Sequence, residues 1–544
     1  MEKIQGIPVA GGYGQGVLAV FHTIHEGKQR NLQEAISDCS LYLRSISEQK
    51  DVMIPKDSGQ ILEAYEMLLS DVCIKNGIEK RVEAGKTLNV AIEEEYEQAA
   101  AVFDQMENVY MRQRAEDVRA VKEMLLQFVT GNRKQIQIPQ NYEKLVISAK
   151  ELSPADLMQL PQERIAGIIL EKGGLTSHTV ILAKAMGIPV VLGILAEKVN
   201  KCGSFVLVDG ENGNVILEPD ISVRKNFLRQ VSEYEALLKN MSLEENQSAV
   251  TKDGCVVKLG INIGDPKDFE KKEISNWDGI GLLRTEFLYT DRKNMPDFTE
   301  QKEYFQKAFA YANGKPLTIR TLDIGGDKNV PYLHLIKEEN PFLGNRGIRL
   351  CLKKTELFCT QLKALLEAAE GREFYLMFPM ISTLDEFCRA KELFEEVKKN
   401  VQKFCPVSEN IKLGIMVETP AAAIMADTFA SYVDFMSIGT NDLTQYVMAA
   451  DRGNLEVHEL YDANQPAVLR MIEMTVKACK KQKIEVSVCG EAVSDILCLQ
   501  HLLSAGIRKF SVSIAQLGKV KYYVRHMDMK MQESGNSRGK RTDT

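Results

Sequence analysis

Eight short apolar runs recur over the second half of the chain, most of them separated by helix-like spacers. They are VVKLGIN (256–262), GIGLLR (279–284), PLTIRTLD (316–323), FYLMFPMI (374–381), KLGIMVE (412–418), VDFMSIG (433–439), IEVSVCG (484–490) and IRKFSVS (507–513). Eight parallel strands with crossover helices over roughly 250 residues predict a (β/α)8 TIM-type barrel.

Upstream the texture differs. Between about 143 and 219, KLVIS (144–148), RIAGIIL (164–170), IPVVLG (188–193) and FVLVDG (205–210) alternate with helical segments, as in a compact α/β domain. The N-terminal GIPVAGGYGQGVLAV has the look of a strand and glycine loop of the same kind. From about Gln29 to Asn132 the pattern is helical, with no proline between Pro55 and Pro139. Ala99, Phe103, Met106 and Tyr110, then Val118, Val121, Leu125 and Phe128, recur every three or four residues, as on the buried face of a long helix. Glu93, Glu94, Glu95 and Glu97 fall where that helix would open, at the end whose dipole favours acid. They read first as a solvated bundle face and second as an acidic docking surface.

The fold class is therefore α/β multidomain. An α/β domain spans 1–28 and 133–222, and a helical insertion spans 29–132. A linker helix or hinge covers 223–252, the barrel 253–528 and a polar tail 529–544. A length of 544 residues suits several cores rather than one.

Composition narrows the class. An apolar fraction of 44% and a charged fraction of 26% describe an ordinary globular chain, and a net charge of −7 with no basic stripe argues against a nucleic-acid partner. No uncharged apolar run approaches a membrane span, and MEKIQGIPVAGG lacks the build of a signal peptide. Eleven cysteines without a C-x-x-C pair suggest neither a disulfide framework nor a zinc site. A reduced, cytoplasmic protein is the expectation.

A (β/α)8 barrel carries its chemistry at the C-terminal strand ends. Asn262, Arg284, Arg320, Asp323, Glu418, Asn441, Asp442 and Cys489 close these runs or follow them directly. Arg284 and Arg320 offer planar forks matched to phosphate or carboxylate, and Arg452 supplies a third. Glu418 and Asp442 provide hard oxygens, which favour Mg²⁺ over zinc. Cys489, mostly protonated at neutral pH, suits a proton donor. A small anion carrying both phosphate and carboxylate fits this rim.

In the α/β region, GGLTSHTVILAKAMGIPVVLG (173–193) places His178 at the start of a predicted helix that Gly187 and Pro189 stop. The free N–H groups of a helix start attract a phosphate. Thr176 either holds the imidazole by a hydroxyl hydrogen bond or serves, like Ser177, as an N-cap.

The blocks GGLTSHTVILAKAMGIPVVLG, GIGLLRTEFLY, TLDIGGDK, NPFLGNRGIR, GIMVETPAAA and SIGTNDLTQYVMAADR, in this order over nearly the whole chain, resemble the Enzyme I family of the bacterial sugar phosphotransferase system, the phosphoenolpyruvate–protein phosphotransferases. The resemblance implies autophosphorylation of a histidine by phosphoenolpyruvate and transfer to the carrier protein HPr. It assigns His178 as the phosphorylated residue and Arg284, Arg320, Asn441, Asp442 and Arg452 as substrate contacts. It adds Lys328 and Arg346 as further rim positions, gives Glu418 and Asp442 as Mg²⁺ ligands, and makes Cys489 the acid that protonates the enolate. It further implies an HPr-binding role for the helical insertion and a homodimer through the barrel; because His178 must then visit both the barrel and the insertion, the domain order predicts a swivel about 220–252.

Several positions depart from the family pattern. Leu175 stands where arginine is common, GEAVSD replaces GEMAGD after Cys489, Gln465 precedes Pro466 in place of histidine, and Tyr65 stands where histidine is common. They suit a divergent paralogue serving a non-standard carrier; a catalytically silent HPr-binding regulator is the other alternative.

Overall fold

A computed structural model describes residues 1–529 except 26–28, 48–55, 105–108, 140–141, 154–155, 158–159, 174–177, 271–275, 291, 293, 326–329, 337 and 453. The chain divides into two compact units, Met1–Leu237 and Leu238–Thr544.

The first unit is built on a mixed sheet of nine strands. These are β1 (Glu2–Gln5), β2 (Ile7–Ala10), β3 (Tyr13–His25), β4 (Asn132–Gln137), β5 (Leu145–Ala149), β6 (Ile165–Leu170), β7 (Val190–Leu192), β8 (Phe205–Asp209) and β9 (Asn214–Leu217). Their order is β1-β9-β8-β3-β5-β6-β7-β2, with β4 paired to β3. Alternate residues of the inner strands face opposite ways. Leu18, Val146, Ile169, Val191 and Val206 join one apolar cluster, while Ala19, Ile147, Ile168, Leu170 and Val190 join the other.

Five helices interrupt this sheet: α1 (Leu32–Ser47), α2 (Lys56–Ser70), α3 (Val72–Glu83), α4 (Leu88–Asp104) and α5 (Val109–Thr130). They are inserted into a β-hairpin, because the chain leaves β3 at His25 and returns at Asn132, its antiparallel partner in register. Their apolar faces merge with the second cluster of the sheet.

The long helix expected from periodicity is two helices, α4 and α5. The buried stripe of α4 is Ile92, Tyr96 and Ala100, with Ala99 and Phe103 at its edge. The acidic cluster lies in the middle of α4 rather than at its opening, so the helix dipole does not hold it there. Basic neighbours match it instead. Arg81 meets Glu94 at 2.9 Å and Glu95 at 2.7 Å, Lys86 also reaches Glu94, and Glu97 takes Arg119 at 2.9 Å and Lys122 at 3.0 Å. Tyr65 is buried and donates to Asp117 Oδ1 at 3.4 Å, so its hydroxyl is satisfied inside the bundle.

α6 (His178–Ala185) follows β6, and α7 (Ile221–Glu244) leads out of the unit. Gly187 stops α6 with φ +68°, and Ile188 N–H donates to Ala183 at 2.9 Å; a β-carbon would be strained in that left-handed turn.

The second unit is a closed barrel of eight parallel strands: β10 (Lys258–Ile263), β11 (Ile280–Leu283), β12 (Leu317–Arg320), β13 (Tyr375–Phe378), β14 (Lys412–Val417), β15 (Phe435–Gly439), β16 (Glu485–Cys489) and β17 (Lys509–Ser513). All eight apolar runs become its strands. β17 closes on β10 from Lys258↔Lys509 to Asn262↔Ser513. Outside lie α8 (Phe298–Ala312), α9 (Ile348–Lys353), α10 (Thr355–Ala369), α11 (Leu384–Val401), α12 (Pro420–Ile424), α13 (Ala426–Phe429), α14 (Thr440–Met448), α15 (Pro466–Gln482), α16 (Ile496–Ala505) and α17 (Leu517–His526). Capping boxes Asp297/Glu300 and Thr383/Glu386 start α8 and α11. Val493, one of the departures noted above, is fully buried in the barrel core.

Among the described residues no helix is long and apolar enough to cross a membrane.

Candidate active site

Because the eight strands are parallel, their C-terminal ends share one rim, and the charged residues there are linked. Arg320, the last residue of β12, pairs with Glu286 and lies 3.3 Å from Asp323 and 3.9 Å from Glu418 through Nη1. Asp323 is also held by Arg346, whose Nη2 lies 2.9 Å from it and 3.6 Å from Asp442. Arg452, half-exposed, extends the chain, with Nη1 3.8 Å from Asp442. Glu286, Arg320, Asp323, Arg346, Glu418 and Asp442 are all buried. Buried charges persist only when paired in this way.

Local structure aims each group. Glu418 follows β14, while Thr419 caps α12 by accepting from Ala422 N–H, which leaves the Glu418 carboxylate free for the rim. Glu418 Oε1 accepts from Met380 N–H at 2.6 Å, and Met380 is in the left-handed region at φ +57°, a costly conformation for that side chain. Asp442 sits in the first turn of α14, directly after β15. Asn441 Oδ1 accepts from Glu491 N–H at 3.2 Å, tying α14 to the turn after β16. Between them Gly490 has φ +149°, and a β-carbon there would collide with Thr440 Oγ1. Asn262, at the end of β10, accepts from Ser511 Oγ at 2.6 Å. Arg284 follows β11, with its Nε buried and without a hydrogen-bond partner among the described residues.

The electrostatics follow from burial. Burial, then Asp323 and Asp442, push the Glu418 carboxyl up to about 8, against the pull of Arg320 and Arg346. Burial lowers the Arg320 and Arg346 guanidiniums, but the carboxylates around them more than reverse it, so both remain charged. Burial also raises the Cys489 thiol and keeps it protonated; Ser437, Arg320 and Arg284 oppose this and Glu418 adds to it.

The rim therefore brings together Arg284, Arg320, Arg346, Glu418, Asn441, Asp442, Arg452 and Cys489. His178 is the first residue of α6, in the other unit; its imidazole lies outside the described side chains, and Leu175, Thr176, Ser177 and Lys328 lie outside the described residues. Glu286 was missed by sequence reasoning. It stands two residues past Arg284 in GIGLLRTEFLY, and that spacing beyond a strand end was the only signal available.

Glu418 and Asp442 offer carboxylate oxygens at the rim of the kind a divalent cation takes. Asp442 Oδ1 is buried and makes no hydrogen bond among the described residues, with Arg452 Nη1 3.8 Å away, which suits a ligand atom for a cation. Among the described residues no three His, Cys, Asp or Glu side chains converge on one metal position. Two carboxylates with water and substrate oxygens suffice for Mg²⁺.

Three family models match successive parts of the chain. Residues 5–114 match PEP-utilising enzyme, N-terminal; residues 142–213 match PEP-utilising enzyme, mobile domain; residues 239–529 match PEP-utilising enzyme, PEP-binding domain. The chain is 39% identical to the phosphoenolpyruvate-protein phosphotransferase of Priestia megaterium over 510 residues, 92% of this chain and 88% of that protein. The phosphoenolpyruvate-protein phosphotransferase of Bacillus subtilis (strain 168) is 39% identical over 498 residues, 90% of this chain and 87% of that protein. A solved structure described as "NMR solution structure of Enzyme I (nEIt) protein using two 4D-spectra" is similar at 25% identity and TM-score 0.37, covering 43% of this chain and 99% of that one. With three matching segments in order and this identity sustained over nine-tenths of its length, the chain belongs to the phosphoenolpyruvate-protein phosphotransferase family.

Proposed function

We propose that this protein takes the phosphoryl group of phosphoenolpyruvate onto His178 and passes it to the histidine of an HPr-type carrier, the first step of a sugar phosphotransferase system. The observation that carries the reading is the single buried network joining Arg320, Asp323, Arg346, Glu418 and Asp442 at the barrel rim.

Phosphoryl transfer passes through a loose transition state whose cost is mainly charge and alignment. Arg284, Arg320, Arg346 and Arg452, with Asn441 and Lys328, bind the phosphate and carboxylate of the substrate. The carboxylates around Arg320 and Arg346 fix their forks before substrate arrives, so little reorganisation is left for the reaction. Glu418 and Asp442 would hold Mg²⁺, which when bound supplies positive charge to the substrate oxygens. The neutral imidazole of His178 takes the phosphoryl group, and the N–H groups at the start of α6 accommodate its charge. Thr176 is a supporting residue that orients the ring. Cys489 gives its proton to the methylene carbon of the departing enolate, which becomes pyruvate.

In this reading the α1–α5 bundle receives the carrier, the barrel forms a homodimer, and the protein is cytoplasmic. His178 must meet both its donor and its acceptor, so the histidine domain swivels about 220–252.

The test is incubation with labelled phosphoenolpyruvate and Mg²⁺. Acid-labile, base-stable label on the protein, absent from His178→Ala and chased by HPr, is the expected result. Label that requires ATP, or persists in His178→Ala, defeats the reading.

A further inference from the structure

β15 carries a hydroxyl where its packing calls for a hydrocarbon. Ser437 is fully buried, beside a layer of barrel interior formed by Leu282, Met377, Met416, Phe435 and Cys489. Burying a hydroxyl costs free energy unless it is hydrogen-bonded, and alanine would fill the same place without that cost. The partner it has is a sulfur: Ser437 Oγ lies 3.4 Å from Cys489 Sγ, on the neighbouring strand. The thiol has its own acceptor in the Ile438 carbonyl, at 3.7 Å. The Ser437 proton is thus left to point at the sulfur lone pairs.

We infer that Ser437 is a positioning residue for the proton step, donating a hydrogen bond to the Cys489 thiolate left when the thiol protonates the enolate. The inference rests on the proton-donor reading of Cys489 given above. In that step the S–H bond breaks with its electron pair remaining on sulfur. The enolate C=C pair forms the new C–H bond, and the enolate C–O becomes the carbonyl of pyruvate. The charge thus appears on sulfur in a site where water cannot solvate it. Arg320, Arg284 and Glu418 are the charged groups acting on that sulfur, and Ser437 is the hydrogen-bond donor placed on it. Without the hydroxyl the thiol still packs and still donates to Ile438, but its conjugate base loses its stabilising contact.

The test uses the full-length protein with Mg²⁺ and reads two rates. One is labelling of His178 by labelled phosphoenolpyruvate. The other is exchange of pyruvate methyl hydrogens with D2O, followed by NMR, which runs the proton step backward without phosphorus. Ser437→Ala is expected to label His178 within about twofold of the parent rate and to exchange about tenfold more slowly, the loss of one hydrogen bond to a charged group. Parent-like exchange in Ser437→Ala, or equal losses in both rates, overturns the inference. Cys489→Ala separates the two levels. If it exchanges as fast as the parent, the thiol is not the acid and the underlying reading falls as well.

Discussion

Arg346 holds Asp323 with two arms of its guanidinium, Nε donating to Oδ1 at 3.2 Å and Nη2 to Oδ2 at 2.9 Å, both residues almost wholly buried. The same Nη2 lies 3.6 Å from Asp442, so one side chain joins the segment after β12 to the start of α14. Arg346→Met would leave two buried carboxylates short of their counter-charge. A loss of about 3–5 kcal/mol in stability is expected by urea denaturation, together with loss of His178 labelling. Arg346→Lys keeps the charge but not the fork, so it should recover stability more than labelling.

Glu286 has no place in the substrate list, yet it pairs with Arg320 inside the barrel wall. Glu286→Gln keeps the shape and removes the charge that orients the guanidinium. Labelling of His178 should slow by about 100-fold, the scale of a small misplacement of a binding group. An unchanged rate would mean that Asp323 and Glu418 fix Arg320 without Glu286.

The Glu418 carboxyl, pushed up to about 8 by burial and then by Asp323 and Asp442, sets a pH dependence for the metal-free protein. A carboxyl with a folded-state pKa above its unfolded value contributes stability that is complete below about pH 4 and is lost as pH rises toward 8. Melting in EDTA should therefore fall in temperature from pH 6 to 8. Glu418→Gln should flatten that fall, and Mg²⁺ should oppose it in the parent but not in Glu418→Gln.

The long helix α7 has two different anchors. Near its start, Arg224 lies 3.8 Å over the Phe205 ring, and Tyr13 meets Phe227 and Tyr234 edge-on. At its end, Lys521 Nζ donates to the Glu245 carbonyl at 2.6 Å, and Arg525 holds Glu244 at 2.9 Å and the Ser248 carbonyl at 3.0 Å. Lys521 is almost wholly buried, so Lys521→Met should cost about 1–3 kcal/mol by leaving that carbonyl unpaired. Hydrogen exchange should rise across 241–248 and stay unchanged across 221–234.

The barrel was legible because buried parallel strands leave continuous apolar runs, six of the eight ending where a polar or charged rim residue stands. Two strands of the first unit were not. β4, NRKQIQ, is too polar to read as a strand, and β9, NVIL, is too short to stand apart from the turn before it. Their partners supply the hydrogen bonds that make them strands, and a one-dimensional pattern does not carry partners. The glutamates of α4 were misplaced for a related reason. Periodicity runs across a helix junction without marking it, so the opening was set five residues late.

For the site, the order of residues determined which chemical groups stand at the rim: guanidiniums, three carboxylates, two amides and a thiol at or just past the ends of predicted strands. Only the tertiary structure decided how they pair. Glu286, after β11, meets Arg320 at the end of β12, Asp323 meets Arg346 across 23 residues of the connection after β12, and Ser437 with Cys489 joins neighbouring strands whose residues lie 52 positions apart. Periodicity fixes the face on which a side chain lies because it is a property of consecutive backbone bonds. The counter-charge it meets depends on barrel closure and strand register, which distant parts of the chain set together.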